Sequence, residues 1–477
     1  MADSGVDEHS GSNHSGSNHS GNKPGSNKPD VAKHGPRRLL SRLRSPQDAE
    51  ILRLAVPAFG ALVAEPLFLL ADSAIVGRLG TIPLGGLGIA SQVLATLVGV
   101  SIFLAYGTTA TVARQLGAGN RDAAIRHGID GLWLAAGIGL VVLAVGWPLA
   151  SQLVAAFGGT AAVSHQGVTY LRISLLGAPA MLAVLAGTGV LRGLQDMRTP
   201  LVVAVAANAV NIALNATFVL GLHWGIAGSA WGTFIAQTGT AAAYLWVVAR
   251  GARRAGVGLR PDRGGITTAA VAGASLVLRT LALQAVLVLM TAIAARESNA
   301  AIAASQVAMR IWNLFVFALD AIAIAAQAIT GRFLGAGDVA GARAANRRMI
   351  AWGAAYGALF SLLLLALRPA LPGLFGVAPD VRSLLLAVLL VIIVQQPAAG
   401  VVFVLDGVLI GAGDQDYLAL AGLATLAVFG GAAAIAVRAD AGLVGLWLAY
   451  AAWMLARFAT LTLRSRTSRW LVTGAIR

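Results

Sequence analysis

Apolar and polar positions fall along this chain in long blocks rather than in strict alternation. From about residue 50 onward, runs of some 20 or more apolar residues are separated by short stretches of Gly, Pro and charge. A helix rising about 1.5 Å per residue needs about 20 such residues to cross the hydrocarbon core of a bilayer. Twelve candidate spans follow, starting near residues 51, 83, 126, 165, 200, 226, 266, 299, 344, 382, 417 and 441. The predicted fold class is an all-α integral membrane protein. Residues 1–48 carry no such run, and the near-repeats GSNHSGSNHSGNKPGSNKP cannot bury enough apolar surface to fold. A disordered, polar and basic cytoplasmic tail is expected there. His14 and His19 could hold a metal weakly, but solvation is the preferred reading. No cleavable signal peptide is expected, because the first apolar run begins near Ile51 and continues at spanning length.

The two halves repeat. Arg114-Gln-Leu-Gly-Ala-Gly119 recurs as Arg332-Phe-Leu-Gly-Ala-Gly337, and Gly189-Val-Leu-Arg-Gly193 with Asp196 recurs as Gly407-Val-Leu-Ile-Gly411 with Asp414, both at a spacing of 218 residues. Unrelated accidents would not share a spacing. Six spans per repeat is an even number, so both halves enter from one side and form two lobes related by a pseudo-two-fold axis along the membrane normal. The expected organisation is a six-helix lobe over 49–250, a cytoplasmic linker over 251–265, a second lobe over 266–464 and a basic C-terminal tail over 465–477.

Composition supports a membrane setting: with 57% hydrophobic and only 12% charged residues, a soluble chain would lack the polar surface to cover its core. The formal charge of +15 lies mainly in the tail and on one set of loops. Of the arginines in loops, only Arg78, Arg296, Arg368, Arg382 and Arg438 fall on the opposite side, which puts both termini in the cytoplasm. A multi-pass protein of the inner (plasma) membrane is expected, with the basic loops touching anionic lipid and no role for nucleic acid. The chain has no cysteine, which excludes disulfides and thiolate metal sites.

Chemistry enters through polar residues inside the spans. Glu65 and Asp72 sit two helical turns apart on one face of the first span. A carboxylate at bilayer depth costs about 2.5 to 3.5 kcal/mol on insertion scales, so it marks a functional site or a paired structural acid. Asn208, Asn211 and Asn215 form a polar line on the fifth span. Gln306, Arg310, Asn313, Asp320 and Gln327 do the same on the eighth. Such faces look into the bundle or a wet cavity, whether to line it or to bind helices together. Depth counted along the helices places Asp72, Asn215 and Thr233 together in the outer half of the first lobe, and makes Arg279 and Asp320 level, a candidate structural ion pair of the second. Gly411-Ala-Gly413-Asp414 matches the GxGD of intramembrane proteases but reads as a helix-closing turn. HExxH, the P-loop pattern and GxSxG are missing, so neither enzyme chemistry nor direct use of ATP is expected.

Twelve spans in two repeats, together with AVPAF at 55–59, LADSAIVGRLG at 70–80, RQLGAG at 114–119, RGLQDMRTP at 192–200 and GIAGSAWGT at 225–233, resemble the multidrug and toxic compound extrusion (MATE) transporters. Asp72 in the first span and VFVLDGVLIGAGD at 402–414 look most like their DinF branch. The resemblance covers about 50–464 and rests on the combination of motifs. It implies a cation-coupled antiporter that exports small amphipathic or cationic compounds by alternating access, without cofactor or metal, and working as a monomer. It also implies ion coupling at Asp72, Asn211, Asn215 and Thr233, with Pro57 bending the first span.

Where the branch often has a second Asp, this chain has Asn215. Loss of an anionic oxygen weakens a Na⁺ site more than a proton site, so H⁺ is the expected coupling ion rather than Na⁺. One proton moving down one pH unit releases about 1.4 kcal/mol, and a 100 mV potential adds about 2.3 kcal/mol. Glu65 is either a second proton stop or a cavity lining. The alternative function is a flippase for lipid-linked precursors within the same superfamily, which would favour a strongly cationic cavity.

Overall fold

The computed structural model describes residues 46–475, the side chain of Glu65 excepted. His14, His19 and the rest of the tail up to residue 45 lie outside the described residues. The N-terminal lobe comprises α1 (Pro46–Gly77), α2 (Thr81–Ser101) continued by α3 (Phe103–Gly117), α4 (Arg121–Gly146), the short α5 (Ala150–Ala155), α6 (Ala161–Leu176) bent into α7 (Ala178–Gly193), α8 (Arg198–Asn215) and α9 (Gly225–Arg254). The C-terminal lobe comprises α10 (Arg263–Glu297), α11 (Asn299–Gly335), α12 (Val339–Leu367), the short α13 (Leu371–Leu374), α14 (Pro379–Gly411), α15 (Gln415–Arg438) and α16 (Gly442–Arg466). Each expected span has its helix, and the starts differ from expectation by a turn or so. Pro46, Gln47 and Asp48, assigned above to the tail, form the first turn of α1.

Among the described residues, ten helices are long and apolar enough to span a membrane, and the α6–α7 pair, bent by 55°, supplies an eleventh. The twelfth, α9, is more polar because it carries Ser229, Thr233 and Thr240 on its buried face. Local chemistry marks the boundaries. Asp262, Ser298 and Asp338 accept hydrogen bonds from the first-turn amides of α10, α11 and α12, satisfying donors that have no partner within the helix. Gly119 and Gly337, repeat mates, turn the chain after α3 and α11 at φ 79° and 75°, where a side chain would be strained.

The duplication is visible as a duplicated helix crossing. A Cβ on Gly189 would lie 2.6 Å from the carbonyl oxygen of Ala105, and one on Gly407 would lie 2.2 Å from that of Ala323. Gly193 meets the carbonyl of Thr109 in the same way as Gly411 meets that of Gln327, at 2.9 and 2.3 Å. Every member of the first set has its counterpart 218 residues later, so α3 packs on α7 as α11 packs on α14. Only glycine lets the backbones come this close.

Contacts between the lobes gather at the end of the bundle that holds the N-terminus of α1. There Arg332 pairs with Glu50 at 2.7 Å and Arg348 grips both oxygens of Asp48 at 2.6 Å. Trp352 Nε1 adds a bond to Asp48 at 2.8 Å. Arg114 of α3 donates to the carbonyls of Ala412 and Val472 at 3.0 and 2.7 Å. The linker after α9 is fastened to α4, with Arg126 and Trp133 donating to the carbonyls of Gly258 and Leu259. The bundle is thus closed at this basic end.

Candidate functional site

In the N-terminal lobe, α1, α6, α8 and α9 converge on Asp72, which is only 2% exposed. Its Oδ1 accepts hydrogen bonds from Asn215 Nδ2 at 2.7 Å and from Ser229 Oγ at 2.6 Å. Asn215 Nδ2 also donates to Asn211 Oδ1 at 2.9 Å, and Asn211 Nδ2 donates to Thr233 Oγ1 at 3.3 Å. The Tyr170 hydroxyl stands 3.4 Å from the same Thr233 oxygen. A connected set of neutral groups therefore ends on one carboxylate. Asp72 has no ion pair among the described residues.

Helical spacing builds this set. Asn211 and Asn215 are one turn apart on α8, as Ser229 and Thr233 are on α9, so each helix offers a two-residue polar face. The helices close up because residue 232 is glycine: a Cβ there would sit 2.1 Å from Asn215 Oδ1. That Oδ1 is buried without a hydrogen-bond partner. Directly after Asn215 the helix widens into π-helical turns over Ala216–Gly221, a distortion often found at functional sites.

The expected quartet Asp72, Asn211, Asn215 and Thr233 is thus assembled. Ser229 and Tyr170 were not legible as members, although Ser229 stands one turn before Thr233 within GIAGSAWGT, which is the signal that could have found it. Asn208 fastens α8 to α1: its Nδ2 donates to the Ala64 carbonyl at 2.8 Å. Both Pro57 and Pro66 lie inside α1. Each lacks an N–H and so weakens the helix one turn earlier, and Pro66 is the nearer to Asp72.

The second polar site is in the C-terminal lobe. A cavity of about 310 Å³ opens between the α2–α3 junction and α10, α11, α14 and α16. Arg279 Nη2 donates to Asp406 Oδ2 at 2.5 Å, and Arg457 Nη2 bonds the same oxygen. The Arg279–Asp320 pair expected from equal depth is therefore corrected to Arg279–Asp406. Depth along an axis does not say which helices are neighbours, and a long arginine reaches across a turn or more. Asp320, Asn313 and Gln327 line the cavity, and Gln327 Nε2 donates to the Tyr106 carbonyl at 2.5 Å. Gln306 and Arg310 are exposed on the same α11 face, nearer its start. Asp414 of the GxGD match is held in a two-pronged bond by Arg464 at 2.6 and 2.9 Å, a helix-end contact.

The sequence model of the MatE family matches residues 57–217 and 268–432. DNA damage-inducible protein F of Escherichia coli is 32% identical over 61% of this chain and 64% of its own length, just under two thirds of that relative. Protein DETOXIFICATION 44, chloroplastic, of Arabidopsis thaliana is 27% identical over 88% of this chain and 83% of its own. Among solved structures, a MOP superfamily transporter from Pyrococcus furiosus superposes with a TM-score of 0.80 at 21% identity, covering 89% of this chain and 96% of that one. With two six-helix lobes and both repeats matched, the chain belongs to the MatE family of membrane transporters.

Proposed function

We propose that this protein is a proton-coupled secondary antiporter that exports small amphipathic or cationic compounds by alternating access. One observation carries the reading: Asp72 is buried among neutral hydrogen-bonding groups, with no counter-cation among the described residues. Burial disfavours the charged form of a carboxylic acid, while donated hydrogen bonds favour it. A group balanced between the two can take a proton in one conformation and release it in another. The donor set supports H⁺ over Na⁺, because the Asn215 and Ser229 groups that reach Asp72 are N–H and O–H donors, whereas a hard cation would need oxygens converging on one point. The positive-inside bias makes the basic end cytoplasmic, both termini with it, and the closed inter-lobe contacts there then belong to an outward-open state. Protonation of Asp72 would then let α1 repack about Pro57 or Pro66 and release substrate outward.

The reading extends to this chain what the names of relatives such as the probable multidrug resistance protein NorM of Thermotoga maritima say of those proteins. Its test is efflux of a fluorescent organic cation from vesicles of the reconstituted full chain under imposed pH or Na⁺ gradients. A pH gradient should drive efflux by the wild type and not by Asp72→Asn. Equal efflux by the two would overturn the coupling site, and drive by Na⁺ alone would overturn the choice of ion.

A further inference from the structure

The charged cluster of the C-terminal lobe is not used by coupling at Asp72, and its hydrogen-bonding capacity is not filled. Arg279 and Arg457 share Asp406, all three being less than a tenth exposed. Asp320, at the cavity wall, makes no hydrogen bond or ion pair among the described residues. At the cavity wall Arg279 and Arg457 thus share one carboxylate while the other, Asp320, stands apart, which leaves the two guanidinium groups open to a further anion.

The donors are in place for one. Each of Arg279 and Arg457 gives a single hydrogen bond, to Asp406, and both line the cavity. An arginine has five N–H groups in a fork that matches a carboxylate. Trp453 Nε1 is a buried donor without a partner, and its ring stacks against Arg457 at 5.0 Å. Trp312 and Tyr450 continue the aromatic wall, with centroids 5.7 Å apart and edge-on. The volume, about 310 Å³, is at the small end for ligand sites.

We propose that this cavity is a binding site for aromatic carboxylates, so that compounds carrying an anionic group as well as an apolar ring are handled by the C-terminal lobe. The inference rests on the transporter reading above but not on the choice of coupling ion. A carboxylate placed between Arg279 and Arg457 would fill the free positions of their forks and lay its ring on Trp312 and Tyr450. Asp320 opposes it by like-charge repulsion.

The test is calorimetric titration of the purified full chain with 2-naphthoate and with its neutral counterpart 2-naphthamide. The acid should bind at least about tenfold more tightly than the amide, the order of one charge-assisted hydrogen bond. Arg457→Gln should abolish that preference. Because this substitution could also unsettle the fold, Asp320→Asn is the second arm: it should tighten naphthoate about tenfold, a gain that a folding defect cannot produce. Equal binding of acid and amide by the wild type, or no tightening in Asp320→Asn, would overturn the proposal. Either result leaves the Asp72 efflux test untouched, and loss of coupling at Asp72 leaves the naphthoate titration untouched, so the two readings fail separately.

Discussion

Gly117 and Gly335, equivalent positions in the two repeats, cross at the closed end of the bundle and rest on each other's helices. A Cβ on Gly117 would lie 2.0 Å from the carbonyl oxygen of Arg332, and one on Gly335 would lie 2.0 Å from that of Arg114. The acceptors are themselves repeat mates, so the contact is self-complementary about the pseudo-two-fold axis. Neither helix can yield locally, since both clashes are with backbone. Gly335→Ala should therefore force the lobes apart at this end and leave the separate lobes folded. Spin labels at Arg121→Cys and Arg343→Cys, in a chain that has no native cysteine, should report a longer distance in the variant. An unchanged distance distribution would show that the glycine crossing does not hold the end closed.

Asn215 decides how many anionic oxygens face Asp72. Its amide Nδ2 is shared between Asp72 and Asn211, and its Oδ1 is unpartnered. Asn215→Asp would put two carboxylates in hydrogen-bond range of one another, an arrangement in which one of them must be neutralised by a proton or a cation. The variant should gain Na⁺-stimulated efflux that the wild type lacks. Efflux from vesicles under a Na⁺ gradient at fixed pH measures this directly, and a variant still indifferent to Na⁺ would count against the geometry.

Asp406 is the counter-ion of two buried arginines. Breaking a buried pair leaves an uncompensated charge and costs about 3 to 5 kcal/mol. Asp406→Asn should lower the thermal midpoint of the purified protein sharply. Asp320→Asn, which removes a carboxylate without a hydrogen bond or ion pair among the described residues, should lower it less. Differential scanning fluorimetry of the two variants side by side checks the contrast.

Much of this was readable from the chain itself. Spans follow from apolar runs, and the repeat of Gly189/Gly193 as Gly407/Gly411 marks the duplication that the structure shows as a helix crossing made twice. Asp72 declared itself as a carboxylate in an apolar run, and its partners Asn211, Asn215 and Thr233 came from the family resemblance together with their depth. Ser229 did not, because a serine in a glycine-rich helix looks like a packing residue until its neighbour is known. Asp406 lies within VFVLDGVLIGAGD, yet equal depth along the helices matches Arg279 to Asp320 instead. Rise per residue fixes height within a bundle, whereas adjacency depends on how α10, α14 and α16 are arranged around the axis, and no one-dimensional pattern carries that.

The segment after α16 adds a fastening that depends on few atoms. The Val472 carbonyl accepts from Arg114 of the N-terminal lobe, while Gly474 N donates to the Leu334 carbonyl of the C-terminal lobe at 3.0 Å. Trp470 anchors the segment, fully buried and with its Nε1 bonded to the Ser465 carbonyl. A chain ending at Leu471 keeps that anchor and removes both bridging bonds. Each net hydrogen bond contributes about 1 kcal/mol, more where a charged donor is involved. Opening at the basic end should then become about tenfold or more frequent. Amide hydrogen exchange should rise at 112–118 and 331–336, where α3 and α11 meet, and stay unchanged around Asp72. Equal protection in the shortened and full chains would mean that the glycine crossing and the Asp48 and Glu50 ion pairs hold the closure without this segment.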